Sequence, residues 1–159
     1  MWITRDKFLD RVKELNSNYW NEGKDYRWEY MSAVIQMGQR LEAEKIIEAG
    51  ASDIPLNNES YLFSYPEHDL DKVPYKFNDK HFDLFIALQT WEHLTNQQEA
   101  FKEVMRISKH AILSFPYKWK HGDAQHRDID ERKIEKWTCG VKPVQTMLIK
   151  NRIIYRFKF

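Results

Sequence analysis

The chain has almost no cysteine, few glycines and no long apolar run. Cys139 is the single cysteine, so an intramolecular disulfide and a cysteine-based metal cluster are both excluded. One thiol fits a reducing compartment. No apolar run approaches the roughly 18 residues that a membrane span requires. The opening Met1-Trp2-Ile3-Thr4-Arg5-Asp6 lacks the basic-then-apolar pattern of a secretory signal. The expectation is therefore a cytoplasmic protein with no membrane partner. Excess charge of one sign is also missing. A net charge of +1 gives no global footprint for nucleic acid or an acidic membrane. There is no internal repeat, low-complexity tract or dividing linker.

What is present is core material and polarity together. Aromatic residues make up 14% of the chain and charged residues 31%, which suits a soluble globular protein with an ample core. A length of 159 residues predicts one domain, with helices over 1–43 and an α/β core over 44–159.

The most informative stretch runs from Phe82 to Leu94. Phe82 to Leu88 is apolar apart from Asp83 and shows no period-2 alternation, so it reads as a strand covered on both faces. It delivers Gln89, Glu92 and His93 at its carboxyl end, where open α/β sheets place ligands. Before it, Thr4 is a predicted N-cap, followed by Phe8, Leu9, Val12 and Leu15 at helical spacing. Asn16 to Asp25 reads as a polar turn and Arg27 to Glu44 as a second helix. Lys45–Glu48 and Tyr61–Phe63 read as strands, and His68–Asp71 as the end of a third. After it come a helix capped at Thr95 or Asn96, with Ala100, Phe101, Val104 and Ile107 on its buried face, and a strand over Ala111–Phe115. A polar loop spans Tyr117 to Arg127, and a helix that opens at Asp128 or Asp130 spans Ile129–Trp137. Val144–Lys150 and Arg152–Phe159 close the chain as a hairpin around Asn151. Strands alternating with helices predict a Rossmann-like, mostly parallel α/β sheet, and the hairpin adds an antiparallel edge.

These pieces, in this order, resemble class I S-adenosylmethionine-dependent methyltransferases of the small-molecule type 11 kind. Ile46-Ile47-Glu48-Ala49-Gly50-Ala51 resembles the first strand and its glycine turn. Asp69-Leu70-Asp71, with Pro74 and Phe77, resembles the segment before the fourth strand. Phe82–Leu88 with Glu92-His93-Leu94 resembles that strand and the turn after it. Phe101 to Ile107 and Ala111 to Pro116 resemble the next helix and strand. The likeness covers about residues 44 to 159.

The resemblance implies S-adenosylmethionine as cofactor, held by Glu48, Gly50, Asp69, Leu70 and Gln89. It implies a small-molecule acceptor, with His93, Tyr117 and His126 as the acceptor-side catalytic candidates. Glu48 and Gly50 would meet the methionine end, and Asp69 and Leu70 the adenine. A bulky residue at Gly50 is then expected to abolish cofactor binding and spare the fold. Two departures motivate a second reading, a non-catalytic Rossmann-like binding or assembly module. The first turn has only Gly50, and the second strand ends in Phe63-Ser64-Tyr65 without a carboxylate.

For each candidate a plainer role competes. Glu92 and His93 can simply order the turn before the next helix. His121-Gly122-Asp123-Ala124-Gln125-His126 holds two imidazoles and a carboxylate, yet its spacing matches no metal motif, and no metal is assigned. As an acceptor loop it follows the fifth strand and so shares an edge with Gly50 and Gln89. Lys118-Trp119-Lys120 is thin support for RNA binding. Oligomeric state is left open.

Overall fold

The computed structural model describes residues 1–50 and 53–159. Its elements are α1 (Arg5–Leu15), α2 (Asn18–Gln39), β1 (Ile46–Ala49), β2 (Tyr61–Phe63), β3 (Phe82–Leu88), a single 3-10 turn (Trp91–His93), α3 (Gln97–Ile107), β4 (Ser108–Pro116), α4 (Glu131–Trp137), β5 (Gln145–Ile149) and β6 (Arg152–Lys158). The six strands form one sheet in the order β2-β1-β3-β4-β6-β5. The first four in that order run parallel; β6 is antiparallel to β4 and β5 to β6. This is the Rossmann-like arrangement expected, with the antiparallel pair at the carboxyl end of the chain.

β3 carries two faces of core. Leu84 and Ile86 pack with Ile46, Ile112 and Ile154 beneath Phe8, Val12 and Val34 of the first two helices. Phe85 and Ala87 pack with Phe101, Val104 and Ile134 of α3 and α4. A strand buried on both sides has no polar face to alternate, which is why its sequence reads as a continuous apolar run.

Helix ends follow local chemistry. Thr4 caps α1, its hydroxyl accepting from the Lys7 amide at 3.4 Å. The Asp130 carboxylate accepts from Lys133 N at 3.0 Å and opens α4, one of the two starts considered. The α3 start departs from expectation. Asn96 makes no side-chain cap; the Asp71 carboxylate instead accepts from the Thr95 and Asn96 amides at 2.7–3.0 Å. An acid from another segment performs the capping that a local box was expected to perform.

Two other expectations are corrected. α2 begins at Asn18, so the stretch read as a polar turn is helical. Arg27 explains this: its guanidinium lies 3.7 Å from the Tyr19 ring centre and bonds the Tyr19 carbonyl, so an aromatic–cation contact stabilises the polar first turns. Within α2, Gly38 admits the Trp2 ring, since a Cβ there would lie 2.3 Å from it. The predicted third strand at His68–Asp71 is a loop, closed by Asp71 N donating to Asp69 and Tyr75 OH donating to the Leu70 carbonyl.

Asp83 ties the amino ends of two strands. It accepts from the Glu44 and Lys45 amides and from Lys109 Nζ at 2.8–3.1 Å. The lysine contact, aided by the amides, holds its carboxyl below the usual aspartate range. A depressed folded value means stabilisation that is complete above the ordinary value of about 3.9 and lost as pH falls through the folded value. Asp83→Asn is expected to cost about 1–3 kcal/mol near neutral pH. The gap to the parent should narrow in urea titrations carried progressively below the ordinary aspartate value. A gap independent of pH would remove the ionised carboxylate from the account.

Candidate functional site

A cavity of about 180 Å³ lies at the carboxyl ends of β1 and β3. Glu48, Gly50 and Gln89 line it from the sheet, and Tyr30 and Trp20 of α2 line it from above. Three of the five predicted cofactor residues are therefore together. Asp69 and Leu70 are not among its walls. The Leu70 side chain is buried in the core on the α3 side of the sheet, and Asp69 faces Lys72 at 3.7 Å.

Glu48 is buried, and each carboxylate oxygen is engaged. Oε2 accepts from Leu56 N at 2.7 Å; Oε1 accepts from Asn57 N at 2.8 Å and Ser60 Oγ at 2.7 Å. Burial pushes its carboxyl above the usual range while the three donors pull it down. The side chain thus fixes the β1–β2 connection, in which no helix forms among the described residues. Ala51, part of the predicted glycine turn, lies outside the described residues, as does Ser52.

Gly50 has φ +75°, and its amide donates to the Phe63 carbonyl at 3.3 Å. A Cβ at Gly50 would lie 2.5 Å from Thr90 Oγ1. A bulky substitution would therefore disturb the fold as well as the cavity, contrary to the expectation that it spares the fold. Gln89 also has positive φ, +51°, at the end of β3. Its amide donates to the Ser114 carbonyl at 3.1 Å, and its Nε2 bonds the Ser114 hydroxyl at 3.1 Å. A non-glycine residue held there is the kind of local strain that collects at ligand sites.

The acceptor-side candidates divide. His93, from the 3-10 turn, and His126, from the β4–α4 loop, meet edge-to-face with ring centres 4.9 Å apart. Trp119 stacks on the outer side of His126 at 6.1 Å. Burial, and then His126, lower the His93 imidazole from its usual value. Tyr117 is engaged elsewhere: its hydroxyl donates to Glu131 and its amide to the Asn151 carbonyl. Lys118 and Lys120, the cations of the RNA reading, face Glu131 and Asp128.

Two residues outside the predicted set stand out. The Glu92 side chain is 1% exposed, and among the described residues no other residue donates a hydrogen bond to either carboxylate oxygen. Burial pushes its carboxyl up to about 7, against the pull of its own amide and of Arg152. Arg152 is also buried. Its Nε donates to the Tyr26 hydroxyl at 2.8 Å, and its plane lies 4.7–4.8 Å from the Tyr26 and Tyr30 ring centres. The sequence signal for Glu92 was its place beside His93. Arg152 gave none, because the distant α2 supplies its partners.

Comparison with known proteins bears on the fold. The family model for the methionine biosynthesis protein MetW matches residues 61–136, just under half of the chain. No curated protein matches the sequence. Among solved structures, a magnesium protoporphyrin IX methyltransferase from Synechocystis PCC 6803, with bound SAH, superposes with a TM-score of 0.59 at 13% identity, covering 96% of each chain. A SAM-dependent methyltransferase from Thermotoga maritima gives a TM-score of 0.57 at 15% identity, over 91% of this chain and 96% of that one. Another from Aquifex aeolicus gives 0.55 at 10% identity over 97% of each. The fold is that of class I S-adenosylmethionine-dependent methyltransferases, as the sequence resemblance implied. Among the described residues, no helix is long and apolar enough to cross a membrane.

The cavity fits that cofactor in chemistry. The Asp53 carboxylate, the Gln89 carboxamide and the Tyr30 and Trp20 rings are the groups that hold a cation, an amino-acid end and an aromatic base. Its volume of about 180 Å³ lies below the roughly 300–1,000 Å³ of pockets that enclose a ligand of that size. Tyr19 and Trp20, which form the outer wall, are the groups that would have to move.

Proposed function

We propose that the protein transfers a methyl group from S-adenosylmethionine to a small-molecule acceptor. The observation that carries this reading is the cavity at the carboxyl ends of β1 and β3, in a mostly parallel sheet with an antiparallel pair at one edge, a fold that superposes on methyltransferases. Gly50, Asp53 and Gln89 would hold the cofactor from the sheet side, with Trp20 and Tyr30 closing over it. The cofactor, when bound, supplies a methyl group made electrophilic by its sulfonium. The chain's own contribution is alignment and exclusion of water, since methyl transfer needs an oriented nucleophile more than a strong base. His93 and His126, in loops at the same edge, would line the approach of the acceptor. Tyr117 acts through Glu131 and Asn151, positioning the loop rather than touching the acceptor. Asp69 and Leu70 shape the loop behind β2, where neither reaches the cavity.

The test is titration of S-adenosylmethionine and S-adenosylhomocysteine by calorimetry and tryptophan fluorescence. Saturable binding is expected, with a fluorescence change that Trp20→Phe largely removes. At about 100-fold above the dissociation constant, the ligand should add about 2.7 kcal/mol of stability. Absence of binding at millimolar cofactor would end the enzyme reading and leave the non-catalytic module.

A further inference from the structure

We infer that Glu92, His93 and His126 form a binding site for a divalent first-row transition-metal ion. The candidate ligand atoms of the three residues lie within 4.8 Å of one another. A tetrahedral ion with bonds of about 2.1 Å holds its ligand atoms about 3.4 Å apart. Side-chain rotations at His93, on the 3-10 turn, and His126, in the β4–α4 loop, are enough to close that difference. Glu92 Oε1 and His93 Nε2 are 4.0 Å apart, so the carboxylate and the first imidazole already flank one point in space. His126 approaches the same point from a different segment, edge-to-face with His93.

The second observation is the state of the Glu92 carboxylate. Both oxygens are buried, and among the described residues no other residue donates a hydrogen bond to either. Folded proteins seldom leave such a group alone; it is paired, hydrated or bound to an ion. Arg152 does not fill that role. Its Nη1 is itself buried without a partner, its Nε is given to Tyr26, and its plane is held against Tyr26 and Tyr30. Glu48, the other buried carboxylate at this edge, shows the contrast, with three donors on its oxygens.

Two imidazoles and one carboxylate suit zinc, iron(II), manganese or cobalt, and three protein ligands leave positions open for water or a second ligand. Sequence spacing concealed the site, because the set weighed there, His121, Asp123 and His126, matches no metal motif and the site's other members lie far away in the chain. The structure keeps His126 and replaces His121 with Glu92 and His93, more than thirty residues earlier in the chain.

The experiment uses the full chain stripped by a chelator, with zinc and cobalt(II) as probes and no methyl donor present. Failure here therefore leaves the methyl-transfer reading untouched. One zinc site per chain is expected by competition with a chromophoric chelator, and cobalt should give visible absorption bands of a low-coordinate site. Glu92→Gln and His126→Ala should each weaken zinc by more than about tenfold, the loss that even outer partners of a metal can cause. His121→Ala should leave it unchanged. His126 lies in a loop, so its variant should keep the parent melting temperature and guard against misfolding as a cause. Zinc binding that survives both ligand substitutions, that follows His121 instead, or that is absent from the parent overturns the site.

Discussion

Glu48→Ala is expected to lower the free energy of unfolding by about 3–5 kcal/mol, because it strips the acceptor from three donors at once. Leu56 N and Asn57 N are backbone amides with no freedom to turn toward solvent, and their contacts to the carboxylate are buried. Ser60 Oγ, only partly buried, can find water. Each orphaned buried amide costs about 1–3 kcal/mol, and loss of the packed side chain adds to that. For a domain of this length the melting temperature should fall by roughly 10 °C. The urea midpoint should drop while the m-value stays near that of the parent. Glu48→Gln should lie between, since its amide keeps one acceptor and turns a donor toward a donor. A loss below about 1 kcal/mol would mean that the β1–β2 connection is held by something other than this carboxylate. Glu48→Ala should also blunt the Trp20 response to cofactor, because Asp53, Ile54 and Leu56 line the cavity and the Leu56 amide is held by Glu48.

Gly50→Ala is expected to cost about 2–4 kcal/mol, from two separable causes. The backbone at φ +75° disfavours any side chain, and the new Cβ would meet Thr90 Oγ1 at 2.5 Å and Cγ2 at 3.1 Å. Thr90→Ala removes both of those atoms and leaves its own Cβ at an ordinary contact of 3.4 Å. The alanine at position 50 should therefore cost at least about 1 kcal/mol less in the Thr90→Ala background than in the parent. A double-mutant cycle in urea measures this directly. Strictly additive effects would show that Thr90 does not crowd Gly50 in solution. If binding of S-adenosylhomocysteine is also lost in Gly50→Ala and regained in the double variant, the Gly50–Thr90 contact shapes the cavity as well as the turn.

Some features could be read from single segments. β3 was visible because a strand buried on both faces must be apolar throughout, and Phe82–Leu88 is. The hairpin was visible because two short apolar segments and the turn at Lys150 and Asn151 between them are local. Caps at Thr4 and Asp130 are local too. The first turns of α2 were missed because Tyr19 lies in a stretch that read as a polar turn, and its stabilising partner, Arg27, lies eight residues further on. The α3 cap was misassigned because Asp71, twenty-four residues before Thr95, supplies it.

The sequence by itself determined the order of the elements apart from the strand expected at His68–Asp71, and the buried central strand, since both rest on periodicity and local chemistry; its motifs in order carried the resemblance to a methyltransferase fold. It also named Glu48, Gly50 and Gln89, which share one cavity, and His93 and His126, which share another corner of the same edge. Only the tertiary structure decided what those side chains do. Glu48 is bound to the β1–β2 connection, Leu70 lies in the opposite core, and Tyr117 is tied to Glu131. It alone brought Glu92 to His126, and Arg152 to Tyr26 and Tyr30. The physical reason is one of range: helix and strand patterns are written within a few residues, whereas the burial and pairing of a charge depend on segments that meet only after the sheet is assembled.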